Sequence, residues 1–283
     1  MNKPIATIAR TNEICEKFGL FAKKGYGQNF IIEPGIVEKI AEKGNVTGNC
    51  VIEIGPGIGA LTESLAKRAA HVCAYEVDAR LPEVLAYSLA EYDNVEIILQ
   101  DFLTCDLEGK VAELKKKYGK VVVCANLPYY ITTPILFRIF ESQADIESIT
   151  VMVQKEVADR FAAVPRTKDY NALSVIVQYL YDVKMVMKIP RTIFNPKPNV
   201  DSAVIQFNQK ERIPLKDQNA FFELVKGCFR QRRKTIYNNL RAYLNDGEKA
   251  TAALEKCGIA PNARSEELSL EQFISLYEGV ESL

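Results

Sequence analysis

A single histidine, His71, stands in 283 residues. Its scarcity removes the usual partner of an activated serine or cysteine. The seven cysteines (Cys15, Cys50, Cys73, Cys105, Cys124, Cys228 and Cys257) are odd in number, scattered and never spaced as CxxC. They argue against a zinc site or a disulfide framework and read as small buried hydrophobes. No apolar run approaches the ~18 residues of a membrane helix, and the opening MNKPIATIAR lacks the apolar core of a secretory signal. A cytoplasmic protein that avoids the membrane is expected. Net charge is missing too: 36 Lys and Arg face 36 Asp and Glu, so any nucleic-acid surface has to be a local patch.

What is present is a hydrophobic fraction of 48%, enough for one large domain and a smaller one. From residue 50 onward, CVIEI (50–54), HVCAYEV (71–77), VEIILQ (95–100), KVVVCA (120–125) and SITVMVQ (148–154) read as strands. They are almost continuously apolar, which means cover on both faces and a parallel sheet wrapped by helices. ALTESLAKRAA, LPEVLAYSLAEY and NALSVIVQYLYD carry helical spacing between them. VKMVMKI and SAVIQF read as two further strands joined by the proline-punctuated FNPKPNVD. The expected fold is α/β and Rossmann-like, with a seven-stranded, mostly parallel sheet closed by an antiparallel end hairpin. Polar NQKERIPLKDQN then marks a linker, and FFELVKGCFRQRRKTIYNNLRAYL, EKATAALEKCG and SLEQFISLYEGV behind it are helical throughout. This places a first domain at 1–208 and a small helical domain at 209–283.

EIGPGIGALT (53–62) follows a strand and opens a helix, so Gly55, Gly57 and Gly59 let backbone approach a ligand at the carboxyl edge of the sheet. Gly55, Gly57 and Ala60 also satisfy the dinucleotide pattern G-x-G-x-x-[GA], and Glu76 sits where an acid would hold ribose hydroxyls. The loop alone leaves a dinucleotide and S-adenosylmethionine both open. Glu53, Asp101 at the end of the third strand and Asn126 at the end of the fourth favour the latter. An adenine amine needs an acceptor such as Asp101, whereas a hydride-transfer enzyme more often shows a histidine or a Tyr-x-x-x-Lys pair.

The fourth strand ends in Asn126, Leu127, Pro128, Tyr129 and Tyr130. Pro128 biases Leu127 away from helix and leaves carbonyls without helical partners. An exocyclic adenine amine is a poor nucleophile because its lone pair is delocalised into the ring. Acceptors on its two hydrogens, the Asn126 oxygen and the Leu127 or Pro128 carbonyl, would aim that lone pair at a methyl sulfonium. Tyr129 could stack on the base once it is flipped out. Tyr130 receives no role.

GQNF (27–30), EIGPGIGALT, Glu76, QDF (100–102), NLPYY (126–130), FNPKPNVDSAV (194–204) and FRQRRKTIYNNL (229–240) occur in this order over nearly the whole chain. Together they resemble the KsgA/RsmA family of small-subunit ribosomal RNA adenine N6,N6-dimethyltransferases. The superfamily also holds the Erm large-subunit rRNA methyltransferases, which the glycine loop, NLPYY and the arginine-rich segment resemble less. The resemblance implies that Asn29 and Ile31, Gly55, Gly57, Glu76, Asp101 and Asn126 contact S-adenosylmethionine. Ile31 stands where the family usually has leucine. The resemblance further implies a GQNF flap, an adenine held between Tyr129 and Phe194, and a catalytic set of Asn126, Leu127, Pro128, Tyr129 and Phe194. Its substrate would be two adjacent adenosines in a hairpin loop near the 3′ end of 16S rRNA within the 30S subunit, approached by a monomer that also serves subunit biogenesis.

Arg230, Arg232, Arg233, Lys234 and Arg241 form a basic cluster with no acid between Arg230 and Arg241. On a helix, Arg230, Arg233 and Lys234 share one face, a candidate RNA phosphate contact or simply a solvated charged face. Lys17, Lys23 and Lys24 precede the flap and would add positive charge near the pocket. Two other classes stay open: an assembly factor that keeps the fold but only binds pre-subunits, and a nicotinamide-dependent oxidoreductase.

Overall fold

The computed structural model describes residues 3–20 and 29–283. Nine strands and twelve helices follow one another among these residues. The central sheet contains β2 (Cys50–Ile54), β3 (His71–Glu76), β4 (Val95–Leu99), β5 (Val121–Asn126), β6 (Ser148–Gln154), β7 (Tyr181–Ile189) and β9 (Ser202–Gln209). Its spatial order is β4-β3-β2-β5-β6-β9-β7. The pairs β2–β3, β3–β4, β2–β5 and β5–β6 are parallel, and β9 returns antiparallel to β6. The expected architecture of five parallel strands and an antiparallel end is present.

Burial explains the order. Every residue of β2 is buried, as is all of β5 before Asn126, because helices lie on both faces; β4, at the sheet's edge, is only half-buried. On one face Val51, Val72, Val122 and Val204 pack with Val37 and Ile40 of α2 (Pro34–Lys43), Leu61 and Leu65 of α3 (Ala60–Ala66), and Val84 of α4 (Leu81–Ser88). On the other, α5 (Leu107–Tyr118) packs against β2 and β5. Sealing β2 and β5 on both sides leaves only their ends available to a ligand.

The register decides what those ends present. Ile54 lies opposite Tyr75 and Glu76 opposite Leu99, while Ile52, two residues before the end of β2, pairs with Val123, three before the end of β5. The next residues out are Gly55, whose N–H donates to the Tyr75 carbonyl at 2.9 Å, and Gln100, whose N–H donates to Glu76 O at 2.9 Å. Gly55, Glu76, Asp101 and Asn126 therefore emerge along one edge.

A second, two-stranded pairing was not legible in the sequence. β1 (Phe30–Ile31) runs antiparallel to β8 (Phe194–Asn195), with Ile31 opposite Phe194. The Ile32 N–H extends it by donating to Ile193 O at 2.8 Å. FNPKPNVD is thus more than a hairpin connection, because it holds the segment that follows GQNF.

The chain divides into two compact units, Met1–Ala158 with Lys184–Gln209 and Asp159–Val183 with Lys210–Leu283. A cut at residue 208 differs from this division, because α8 (Ala172–Leu180) packs with the C-terminal helices. Tyr179 meets Phe221 and Phe222, and its hydroxyl donates to Ile213 O. The long arginine-rich helix is also corrected: α9 (Gln218–Cys228) stops and α10 (Ile236–Leu244) begins after a turn. Buried Asn239 imposes the break by accepting from Gln231 N–H at 3.1 Å and donating to Gln231 O at 3.2 Å. Thr235 then caps α10.

Candidate active site

One cavity opens at the carboxyl edge of the sheet, and it gathers the residues that the sequence singled out there. Asn29, Ile31 and Phe194 line it from the β1–β8 side, Gly55 and Gly57 from the glycine loop, and Glu76 and Asp101 from the ends of β3 and β4. Asn126 to Tyr129 close the wall from β5. Gln28 and Gly27, the first half of GQNF, lie outside the described residues, as do Lys23 and Lys24. Lys17 lies over the Tyr87 ring at 3.5 Å, a packing role that makes no use of the cavity.

The glycine loop turns into α3 through left-handed backbone. Gly55 has φ +71° and Gly57 φ +59°, conformations costly for any residue with a Cβ. A Cβ on Gly55 would also press on Pro128 Cγ at 3.4 Å, so the loop and the Asn-Leu-Pro turn touch across the cavity. Glu76 is 6% exposed. Its Oε1 accepts from Val77 N–H and Asp78 N–H, both at 2.8 Å. Burial raises its pKa, and the N–H groups of Asp78, Val77 and Gly57 pull it back. Asp101 caps the short turn after β4, with Oδ1 accepting from Leu103 N–H at 2.9 Å.

Glu53 sits deeper, at 1% exposure, and also lines the cavity. Burial pushes its pKa up to about 8, tempered by the neighbouring Thr62 hydroxyl and reinforced by the Glu76 charge. Among the described residues neither Glu53 Oε2 nor Thr62 Oγ1 completes a hydrogen bond. The sequence marked Glu53 only as a companion of the glycines, since nothing local shows that an acid alternating with Ile52 and Ile54 is buried.

The β5 end is divided between committed and free groups. The Asn126 side chain has no hydrogen-bond partner among the described residues, although its backbone pairs with Met152. Leu127 N–H donates to Met152 O at 3.1 Å and continues the strand. The Pro128 carbonyl already accepts from Ile131 N–H at 3.2 Å and from the Thr132 hydroxyl at 3.0 Å. Of the two carbonyls considered from sequence, that of Leu127 is therefore the better placed to serve a ligand. Tyr129 is held by a 2.5 Å hydrogen bond between its hydroxyl and Ser202 Oγ, while burial raises its pKa. Phe194, 3% exposed, is fixed by β8. Phe30 and Phe102 are further lining residues without an assigned role in the sequence reading. Both were visible inside GQNF and QDF, but only the strand ends place them here.

The basic cluster belongs to the other unit. Arg230 to Lys234 are exposed on the turn between α9 and α10, not on a helix face. Arg232 is engaged, with Nε 3.3 Å from Glu266 Oε2 and its guanidinium donating to Lys168 O. Arg230, Arg233, Lys234 and Arg241 have no ion-pair partner among the described residues.

With this geometry in hand, comparison with known proteins is specific. A family model described as ribosomal RNA adenine dimethylase matches residues 19–281. The chain is 48% identical to the ribosomal RNA small subunit methyltransferase A of Geobacillus thermodenitrificans, over 98% of this chain and 97% of that protein. It is 48% identical to the protein of the same name from Bacillus pumilus, with the same coverage. Among solved structures, a dimethyladenosine transferase from Plasmodium falciparum has a TM-score of 0.71 at 26% identity, covering 87% of this chain and 95% of that one. The 23S rRNA methyltransferase ErmE has a TM-score of 0.69 at 29% identity, covering 89% and 100%.

Proposed function

Because the chain belongs to the ribosomal RNA adenine dimethylase family, we propose that it uses S-adenosylmethionine to dimethylate the N6 amines of two adjacent adenosines in small-subunit rRNA. The target lies in the hairpin loop near the 3′ end. The observation that carries this reading is the convergence on one sheet edge of a left-handed glycine loop, Glu76, Asp101 and an Asn126 amide without a hydrogen-bond partner among the described residues.

The residues present fit the cofactor. S-Adenosylmethionine, when bound, supplies an activated methyl group. Glu76, with Oε1 fixed by two backbone N–H groups, keeps Oε2 for ribose hydroxyls. Asp101, with Oδ1 held by Leu103, keeps Oδ2 for an adenine amine. Gly55 and Gly57 let backbone come close to the ligand, and Asn29 and Ile31 add contacts from β1. The same cavity could take a dinucleotide by its loop alone, but a hydride-transfer reaction would leave the Asn126 amide without a task.

The chemistry rests on orientation rather than on a strong base. Asn126 Oδ1 and the Leu127 carbonyl accept the two N6 hydrogens and turn the nitrogen lone pair out of the ring system. Pro128 holds that carbonyl outward while its own is occupied. Tyr129 and Phe194 hold the flipped base between them, each ring fixed by its own strand or hydrogen bond. One methyl moves per cofactor, so each adenine needs two rounds.

Arg230, Arg233 and Lys234, exposed and without an ion-pair partner among the described residues, are suited to rRNA phosphates, with Arg232 braced by Glu266. The protein acts as a monomer on the 30S particle in the cytoplasm, and among the described residues no helix is long and apolar enough to cross a membrane. The test is Asn126→Ala. Methyl transfer should fall by about 10²- to 10³-fold, the usual effect of losing one preorganised polar contact, while cofactor binding stays measurable. Unchanged turnover would remove the proposed orientation of the amine.

A further inference from the structure

The two rings that would hold the flipped base come from distant parts of the chain, Tyr129 from just beyond β5 and Phe194 from β8. Both are tied to the start of β9. Ser202, the first residue of that strand, is buried, and its backbone pairs with Gln154 at the end of β6. Its Oγ lies 2.5 Å from the Tyr129 hydroxyl, 73 residues away in sequence. Asp201 comes immediately before it. The Asp201 carbonyl accepts from Lys155 N–H at 2.9 Å, and its Oδ1 accepts from Arg191 N–H at 2.9 Å. Arg191 opens the short turn Arg191–Ile193 that delivers Phe194. The Arg191 guanidinium closes the same loop by donating to Asn199 O at 2.9 Å, and Ile193 O accepts from Ile32 N–H at 2.8 Å.

A tyrosine side chain turns about two torsions, the second of them broad, so its ring plane is fixed only by what surrounds it. A hydrogen bond at the phenol tip removes both freedoms at once. Phe194 has no polar tip, and its orientation is set through the backbone, by the turn before it and by the pairing of β8 with β1. Two rings that accept a flat base between them need their gap kept open beforehand, since ordering them as the base arrives costs rotamer entropy at that step. Because β9 pairs with β6 and β6 with β5, adjacent residues of one rigid sheet reference both walls.

We propose that Asp201 and Ser202 are positioning residues that set the gap between Tyr129 and Phe194, Ser202 through the phenol and Asp201 through the turn before the phenylalanine. The inference rests on the reading of those two rings as the walls of an adenine pocket. Neither Asp201 nor Ser202 lines the cavity; each acts through a ring that does.

The experiment measures kcat and KM for methyl transfer to purified unmethylated small ribosomal subunits, with S-adenosylmethionine affinity measured by equilibrium dialysis. Ser202→Ala should lower kcat by about 3- to 10-fold, equivalent to ~0.7–1.4 kcal/mol, the usual net worth of one hydrogen bond. Tyr129→Phe removes the same bond from its other end without touching β9 and should lower kcat equally, and the double variant should be no slower than either single one. Asp201→Ala should lose kcat in the same range and add nothing on a Phe194→Ala background. Asp201→Asn, whose amide oxygen can still accept from Arg191 N–H, should stay within about twofold of wild type. In the Asp201 and Ser202 variants KM for the subunit and cofactor affinity should also hold within about twofold. Unchanged kcat in Ser202→Ala or Asp201→Ala, beside a loss in Tyr129→Ala and Phe194→Ala, overturns this proposal alone. Losses that add in either double variant, no recovery in Asp201→Asn, or a fall in cofactor affinity that matches the fall in kcat also overturn it, because each means that the residue acts other than through its ring. Unchanged kcat in Tyr129→Ala and Phe194→Ala refutes the aromatic walls themselves and this assignment with them.

Discussion

Glu53→Gln separates the electrostatic cost of a buried acid from its shape. Glu53 is 1% exposed, and burial pushes its carboxyl from an ordinary 4.5 up to about 8. In the unfolded chain the group ionises near 4.5, so between that pH and about 8 the folded protein holds a proton that the unfolded chain has lost. More protons bound in the native state means that stability falls as pH rises through this window. At ~1.4 kcal/mol per pH unit the full excursion is ~5 kcal/mol, an upper figure because water entering the cavity would relieve part of it. Glutamine keeps the volume and places a neutral amide beside Thr62. The variant should match wild type near pH 5 and exceed its stability by several kcal/mol near pH 8.5. Urea titrations at intervals between these limits give the difference profile, which carries the Glu53 proton together with its coupling to the Glu76 charge. Parallel profiles for the two proteins would mean instead that Glu53 titrates in the folded state as it does in the unfolded one.

Replacing Arg230, Arg233 and Lys234 by alanine, with Arg232 kept, should weaken small-subunit binding and flatten its dependence on salt. Three lost phosphate contacts would lower the slope of log K against log[salt] by ~2–3, and an unaltered slope would remove these residues from the RNA surface. Gly57→Ala forces a Cβ into φ +59° without a steric clash, since the nearest atom, Phe30 Cε1, is 3.8 Å away. It should cost ~1–2 kcal/mol in urea titration from the left-handed backbone alone and weaken cofactor binding alongside; unchanged stability would contradict the strain.

The sheet was legible because its inner strands are almost continuously apolar and their ends carry conspicuous residues. Gly55, Glu76, Asp101 and Asn126 each follow such a run, and parallel pairing puts those ends on one edge. The β1–β8 pairing was hidden because two residues are too few for a pattern. The stop between α9 and α10 was hidden for a different reason: Phe229, Ile236 and Leu240 keep helical spacing through it, and the Asn239 amide that ends the run acts from eight residues away. Grouping α8 with the C-terminal helices depends on Tyr179 meeting Phe221 and Phe222, a tertiary fact that composition around residue 209 does not encode. Within the site, the proline and the amide were visible as residue types. That the Pro128 carbonyl already serves two donors while Asn126 serves none is a matter of coordinates, and it narrows the pair of acceptors to Asn126 and Leu127.

This cavity methylates adenine in small-subunit rRNA. Purified small and large ribosomal subunits lacking the modification, incubated with the protein and methyl-labelled S-adenosylmethionine and then mapped for modified bases, test it most directly. The expected product is N6,N6-dimethyladenosine at two adjacent positions in the 3′ hairpin loop of the small subunit, with no label in the large one. Label confined to the large subunit, or none in either, would contradict it.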